Sequence, residues 1–132
     1  MRHVDYEALA DVRYVGRKFL RFSSDLLREK AGLNTEQYEA LLAIKAFPGT
    51  TLTISQLSER LQVKHHSAVN IVDRLVNKNL ITREASKQDR RARHLELTAK
   101  GKTLIQELAR IHYHELCQRS AEMIAALRRL KQ

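Results

Sequence analysis

Residues that interrupt a helix are scarce in this chain: its 132 residues include one proline and four glycines. Proline and glycine disfavour helix interiors most strongly, by ~3 and ~1 kcal/mol relative to alanine. A chain so poor in both is expected to fold as a few long helices. A single cysteine, Cys117, excludes an intrachain disulfide framework and fits a reducing compartment. Long hydrophobic runs are missing too. None exceeds the five residues of Ala40–Ile44, whereas a membrane span needs about 20. Charged and apolar residues mix from Arg2 onward, a pattern unlike a signal peptide. A soluble, cytoplasmic protein without membrane contact is therefore expected. Its length suits one domain with a real core, not two independent ones.

Acidic residues are few where basic ones gather. The chain has 24 Lys and Arg against 15 Asp and Glu, a net charge of +9. From Arg60 to Lys102 there are eleven basic residues and four acidic ones, so one third of the chain holds most of the excess. A membrane-surface protein would concentrate such charge on one long amphipathic helix or a tail. Here it centres on Leu80–Gly101. Two strand-like runs, Leu80–Thr82 and Leu95–Leu97, flank a loop holding Lys87, Asp89, Arg90, Arg91 and Arg93. Several arginines on one hairpin repel each other unless a polyanion neutralises them. The patch therefore favours nucleic acid.

Helical spacing supplies the rest of the architecture. Between about Val4 and Lys30, Leu9, Val12, Phe19, Phe22 and Leu26 recur at helical intervals, which predicts one long amphipathic helix ended by Gly32. Asn34 with Gln37, and Thr53 with Gln56, have the spacing of capping boxes and predict helices over Thr35–Ala46 and Ile54–Leu61. Phe47-Pro48-Gly49 stops the first of these. After a turn at Gln62-Val63-Lys64, a helix over His65–Asn79 buries Ala68, Ile71, Val72 and Leu75. Beyond the hairpin, Thr98 or Ala99 starts a helical tail to Leu130, either continuous or broken near Ser120.

The expected fold class is thus mostly α with a small β-hairpin wing. Residues 34–98 form a winged helix–turn–helix lobe, and residues 4–31 and 99–131 supply terminal helices. Those helices carry more apolar surface than so small a lobe can cover. This predicts a symmetric homodimer seated on Leu9, Val12, Phe19, Ile124, Leu127 and Leu130.

A helix followed by a basic hairpin is the order that reading duplex DNA requires. The helix fits the major groove, and the ribbon reaches the neighbouring backbone or minor groove. Residues near the start of such a helix face base edges, which singles out His65, His66, Ser67 and Asn70. An asparagine amide can bond adenine through two atoms, and serine or histidine can donate to guanine N7 or to phosphate. Arg74, one turn beyond Asn70, suits a phosphate contact or an internal ion pair.

Several stretches together resemble the MarR family of bacterial transcriptional regulators. They are Gly32–Tyr38, Gln56–Leu61 with its turn, V-D-R-L at Val72–Leu75, and D-R-R-A followed by L-x-L-T-x-x-G (Asp89–Ala92, Leu95–Gly101). The resemblance implies a homodimeric winged helix–turn–helix protein, expected to be a repressor, on pseudo-palindromic operator DNA. It also implies that Arg91 enters the minor groove while Asp89 orients a nearby arginine. Gln62 and Asn79 stand where the family commonly has glycine; asparagine tolerates a left-handed helix end. Release by small aromatic or phenolic acids, or by thiol oxidation, is a further implication. Tyr14, Arg17, Phe19, Tyr38, His112 and Tyr113 are the candidates to line an effector pocket, and Cys117 is expected to be buried or inert.

Other chemistry is not expected. His65 and His66 are adjacent, and His112 and His114 are two apart, so neither pair shares a helix face as i, i+4 metal ligands do. No Gly-rich phosphate loop, nucleophile elbow or suitably spaced carboxylate pair marks an enzyme, and no cofactor is implied. Two rival readings stay open on the residues alone. One is an architectural DNA-binding protein with little sequence preference; the other is a winged-helix protein-interaction module without DNA.

Overall fold

A computed structural model describes residues 1–47, 52–85 and 93–130. Its elements run α1 (His3–Ala31), α2 (Thr35–Ala46), α3 (Ile54–Leu61), α4 (His65–Asn77), β1 (Ile81–Ala85), β2 (Arg93–Leu97) and α5 (Ala99–Arg129). The mostly helical class with one hairpin is the one expected. The chain divides into two compact units, Met1–Gly32 with Arg110–Gln132, and Leu33–Ala109. No described helix is long and apolar enough to cross a membrane.

In the unit Leu33–Ala109, the helix starts follow the cap chemistry closely. Asn34 Oδ1 accepts the Gln37 N–H at 2.8 Å, and Gln37 Oε1 accepts the Asn34 N–H at 3.0 Å. Thr53 and Gln56 repeat the exchange at 3.2 and 2.9 Å. Each pair satisfies two of the orphan N–H groups at a helix start. Leu41, Leu57, Val72, Leu75, Ile81, Leu95, Ile105 and Leu108 are buried and supply the core of this unit.

The hairpin is antiparallel, with Ile81 opposite Leu97 and Arg83 opposite Leu95. Its strands are longer than the apolar runs at their bases. Glu84 and His94 continue the ladder without an apolar alternation to announce it. A segment from before α3 flanks β2: the Leu95 N–H donates to the Leu52 carbonyl at 2.9 Å, and Thr53 bridges His94.

Two helix ends adopt the left-handed backbone without glycine, Gln62 at φ 54° and Asn79 at φ 60°. Just after Asn79, the chain is pinned to the start of α5. The Thr98 hydroxyl donates to the Asn79 carbonyl at 2.7 Å and accepts the Gly101 N–H at 3.0 Å. A Cβ on Gly101 would lie 2.0 Å from the Leu80 carbonyl oxygen. The T-x-x-G sequence is thus a cap and a close approach in one, and only glycine fits its last position.

In the other unit, α1 runs antiparallel to the distal part of α5. Asp11 pairs with Arg129 at 2.5 Å, Lys18 with Glu122 at 3.0 Å, and Ser23 with His112 at 2.8 Å. The buried row of α1 is Ala8, Val15, Ser23 and Leu27. It lies beside the stripe expected from sequence: Leu9 is exposed, and Val12, Phe19, Phe22 and Leu26 are half-buried. The row mixes large and small residues, Val15 and Leu27 with Ala8 and Ser23. The α5 helix is continuous. Ser120 donates to the Cys117 carbonyl at 2.9 Å, an intrahelical bond that leaves the helix unbroken.

Gly101→Ala should destabilise the protein by about 1–3 kcal/mol, because the added methyl must displace backbone. Gln62→Gly should stabilise it by about 1 kcal/mol through relief of the left-handed strain. Urea denaturation followed by circular dichroism checks both signs.

Candidate nucleic-acid interface

The α4 helix is split along its length. Ala68, Ile71, Val72 and Leu75 are buried on one side, while His65, His66, Asn70 and Arg74 are exposed and Ser67 is half-buried. A polar cleft of about 270 Å³ lies beside it, lined by Asn34, Glu36 and Gln37 from the start of α2 and by Ser67, Asn70 and Arg74. Lys64 is the N-cap of α4 and makes no side-chain cap, so the first-turn N–H groups have no side-chain acceptor from that residue. Three of the expected base-reading residues, His66, Ser67 and Asn70, therefore share the outward side with Arg74. His65 is exposed at the helix start, nearer the edge of the buried side.

Of the expected wing residues, Lys87, Asp89, Arg90 and Arg91 lie outside the described residues. The backbone of Arg93 pairs with Ala85 at the start of β2; its side chain is outside the description. The Arg60 guanidinium sits 4.4 Å from the centre of the Phe47 ring, a cation–π contact that occupies one of the lobe's basic residues.

An ion pair across the lobe escaped the sequence reading. Asp73 of α4 meets Arg83 of β1, joining the helix to the first strand of the hairpin. The available signal was an acid placed three residues after Asn70 and seven after His66, on the same helical stripe.

The effector candidates fall in both units, Tyr38 in Leu33–Ala109 and the other five in Met1–Gly32 with Arg110–Gln132. Tyr14, Arg17 and Tyr113 are exposed, and the Lys18 ammonium lies 4.5 Å from the Tyr14 ring centre. His112 is buried; Ser23 shares a hydrogen bond with its Nε2, and Phe19 and Phe22 meet its ring edge-on at 6.1 and 6.2 Å. Tyr38 belongs to the other unit and is buried in α2. Burial pushes its phenol up from the ordinary value, and the Glu39 carboxylate adds to the shift. An apolar groove between α1 and α5, lined among others by Val15, Phe19, Leu116, Met123 and Ile124, includes only Phe19 of the six. Cys117 is exposed, which corrects the expectation of burial. It lies on α5 away from the side carrying His112 and Ala126, where α1 packs. Among the described residues, no group of His, Cys, Asp and Glu could hold a metal ion.

Three short helices, the last with a polar outer face, and a hairpin after it define a winged helix–turn–helix protein. Residues 31–92 match the sequence model of the MarR family. The chain is similar to the HTH-type transcriptional repressor MdtR of Bacillus subtilis, 35% identical over 80 residues, covering 61% of this chain and 50% of that protein. The transcriptional repressor MprA of Escherichia coli is 31% identical over 91 residues, covering 69% of this chain and 51% of MprA. The chain thus spans about half the length of these curated relatives. Among solved structures, a mutant of Staphylococcus aureus MepR bound to an oligodeoxyribonucleotide matches with a TM-score of 0.70 and 26% identity, over 86% of this chain and 79% of that one. These relatives are regulators rather than enzymes, in line with the sequence reading.

Ser23→Ala removes the hydroxyl that meets His112 in a buried setting. The loss should cost about 1–3 kcal/mol of stability. Thermal denaturation of the two proteins at neutral pH measures it.

Proposed function

We propose that this protein is a DNA-binding transcriptional regulator that acts as a homodimeric repressor on a pseudo-palindromic duplex operator. The observation that carries this reading is the division of α4 into a buried apolar side and an outward side with His66, Asn70 and Arg74. Such a helix fits a major groove with base-bonding groups near its start. The family match, the repressor relatives and a DNA-bound structural neighbour support it. The basic residues Lys87, Arg90, Arg91 and Arg93, with Asp89 among them, add the charge that a wing brings to the phosphate backbone.

Dimerisation is supported by what one chain leaves uncovered. Leu9, Ile124, Leu127 and Leu130 are exposed on α1 and distal α5. Reading two half-sites one turn of duplex apart requires the two α4 helices of such a dimer to lie about 34 Å apart. Control by a small aromatic or phenolic effector rests on the family resemblance; titrating such acids into the DNA complex tests it directly.

Base-reading and backbone residues should separate in a binding assay. Asn70→Ala and Ser67→Ala should reduce preference for a selected duplex over random duplex, because base contacts carry the sequence information. Arg91→Ala should weaken both duplexes, by about 1–3 kcal/mol. Fluorescence anisotropy across a salt series reads the two effects. Equal loss on both duplexes for Asn70→Ala and Ser67→Ala would favour an architectural protein instead. Leu127→Glu should shift sedimentation toward monomer and lower DNA affinity with it, since an unpaired carboxylate is costly to bury.

A further inference from the structure

Asp73 is an acid where a DNA-reading helix should avoid one. His66, Asn70 and Asp73 follow at intervals of four and three, one above another on α4. The Asp73 side chain is 48% exposed, so the core does not require it. Its partner comes from outside the helix. Arg83, on β1 at the base of the hairpin, brings Nη2 to Asp73 Oδ1. Arg83 Nε is buried and bonds to nothing among the described residues, and Asp73 is the acid that this guanidinium meets there. The pair therefore holds a carboxylate in a defined place on the outward stripe.

We propose that Asp73 is a specificity-determining residue: a negative charge on the reading face, held by Arg83, that opposes binding to random DNA. The inference rests on the DNA-reading role of α4. Affinity for random duplex comes almost entirely from phosphate attraction. At random sites the helix samples many registers, and some bring the carboxylate against phosphates. At a preferred site the base contacts fix one register, in which the Asp73–Arg83 pair faces the groove. Specificity is a difference of affinities, so a repulsion felt mainly at the wrong sites increases it. The pair is neutral as a whole, so the repulsion acts on phosphates that approach nearer the carboxylate than the guanidinium.

The test is Asp73→Asn, which keeps an oxygen to accept from Arg83 and removes only the charge. Two probes are used: a duplex selected by the wild-type protein from a randomised pool, and a random-sequence duplex. Removing a unit charge within a Debye length of several phosphates should raise random-duplex affinity about three- to tenfold. The slope of log affinity against log salt should steepen by about 0.9, one further phosphate contact. Affinity for the selected duplex should change less, so discrimination falls. A second protein, Asp73→Arg with Arg83→Asp, keeps the ion pair and the total charge but puts the cation on α4, and it should bind random duplex more tightly than the wild type.

A merely structural clip predicts otherwise. Weaker binding of both duplexes by Asp73→Asn, with wild-type discrimination in the exchanged protein, would overturn the proposal. So would a loss confined to duplexes with one particular cytosine, which would make Asp73 a direct base reader. If the wild-type protein binds neither duplex in a salt-dependent way, the DNA-reading role fails and this inference fails with it.

Discussion

The outward side of α4 exists because its inward side is held. A helix of 13 residues sits near the length below which isolated helices are marginal in water, and the eight-residue α3 is well below it. Neither element is stable by its own backbone hydrogen bonds. Burial of Val72, Leu75 and Leu57, each fully enclosed, contributes roughly 1.5–3 kcal/mol per side chain. That packing leaves His66, Asn70 and Arg74 no alternative but solvent or a partner. The polar stripe is therefore a consequence of the core.

A second constraint fixes where the hairpin starts. The chain leaves α4 through the left-handed Asn79, and its carbonyl is held by the Thr98 hydroxyl at the far end of the hairpin. Thr98 also caps the start of α5, whose Gly101 lies against the Leu80 carbonyl. The base of the wing is thus closed by a few short contacts between backbone and one hydroxyl. The ion pair of Asp73 and Arg83 adds a side-chain tie between the same helix and strand. These contacts fix the start of β1 against the helix that precedes it.

Much of this was legible in the sequence because local chemistry decides it. The capping pairs Asn34–Gln37 and Thr53–Gln56 announce α2 and α3 to the residue, and the three-residue turn marks the start of α4. The strand lengths were not legible, because Arg83, Glu84 and His94 carry no alternation of apolar and polar side chains. The buried row of α1 was misplaced by one position since large apolar residues flank it while Ala8 and Ser23 share it with Val15 and Leu27. Continuity of α5 past Ser120 depends on a hydroxyl choosing an intrahelical carbonyl, which spacing alone does not reveal. The Asp73–Arg83 contact joins residues ten apart through a turn, beyond the reach of helical periodicity. The exposure of Cys117 follows from which side of α5 meets α1, again a tertiary fact.

Nucleic-acid contacts carried by α4 can be located residue by residue. Amide chemical shifts of the labelled protein, recorded before and after adding a duplex selected from a randomised pool, locate the contact without any substitution. The account predicts the largest changes at His65–Arg74, with those of α1 remaining small. Changes concentrated in α1 and distal α5, with His65–Arg74 unmoved, would contradict it.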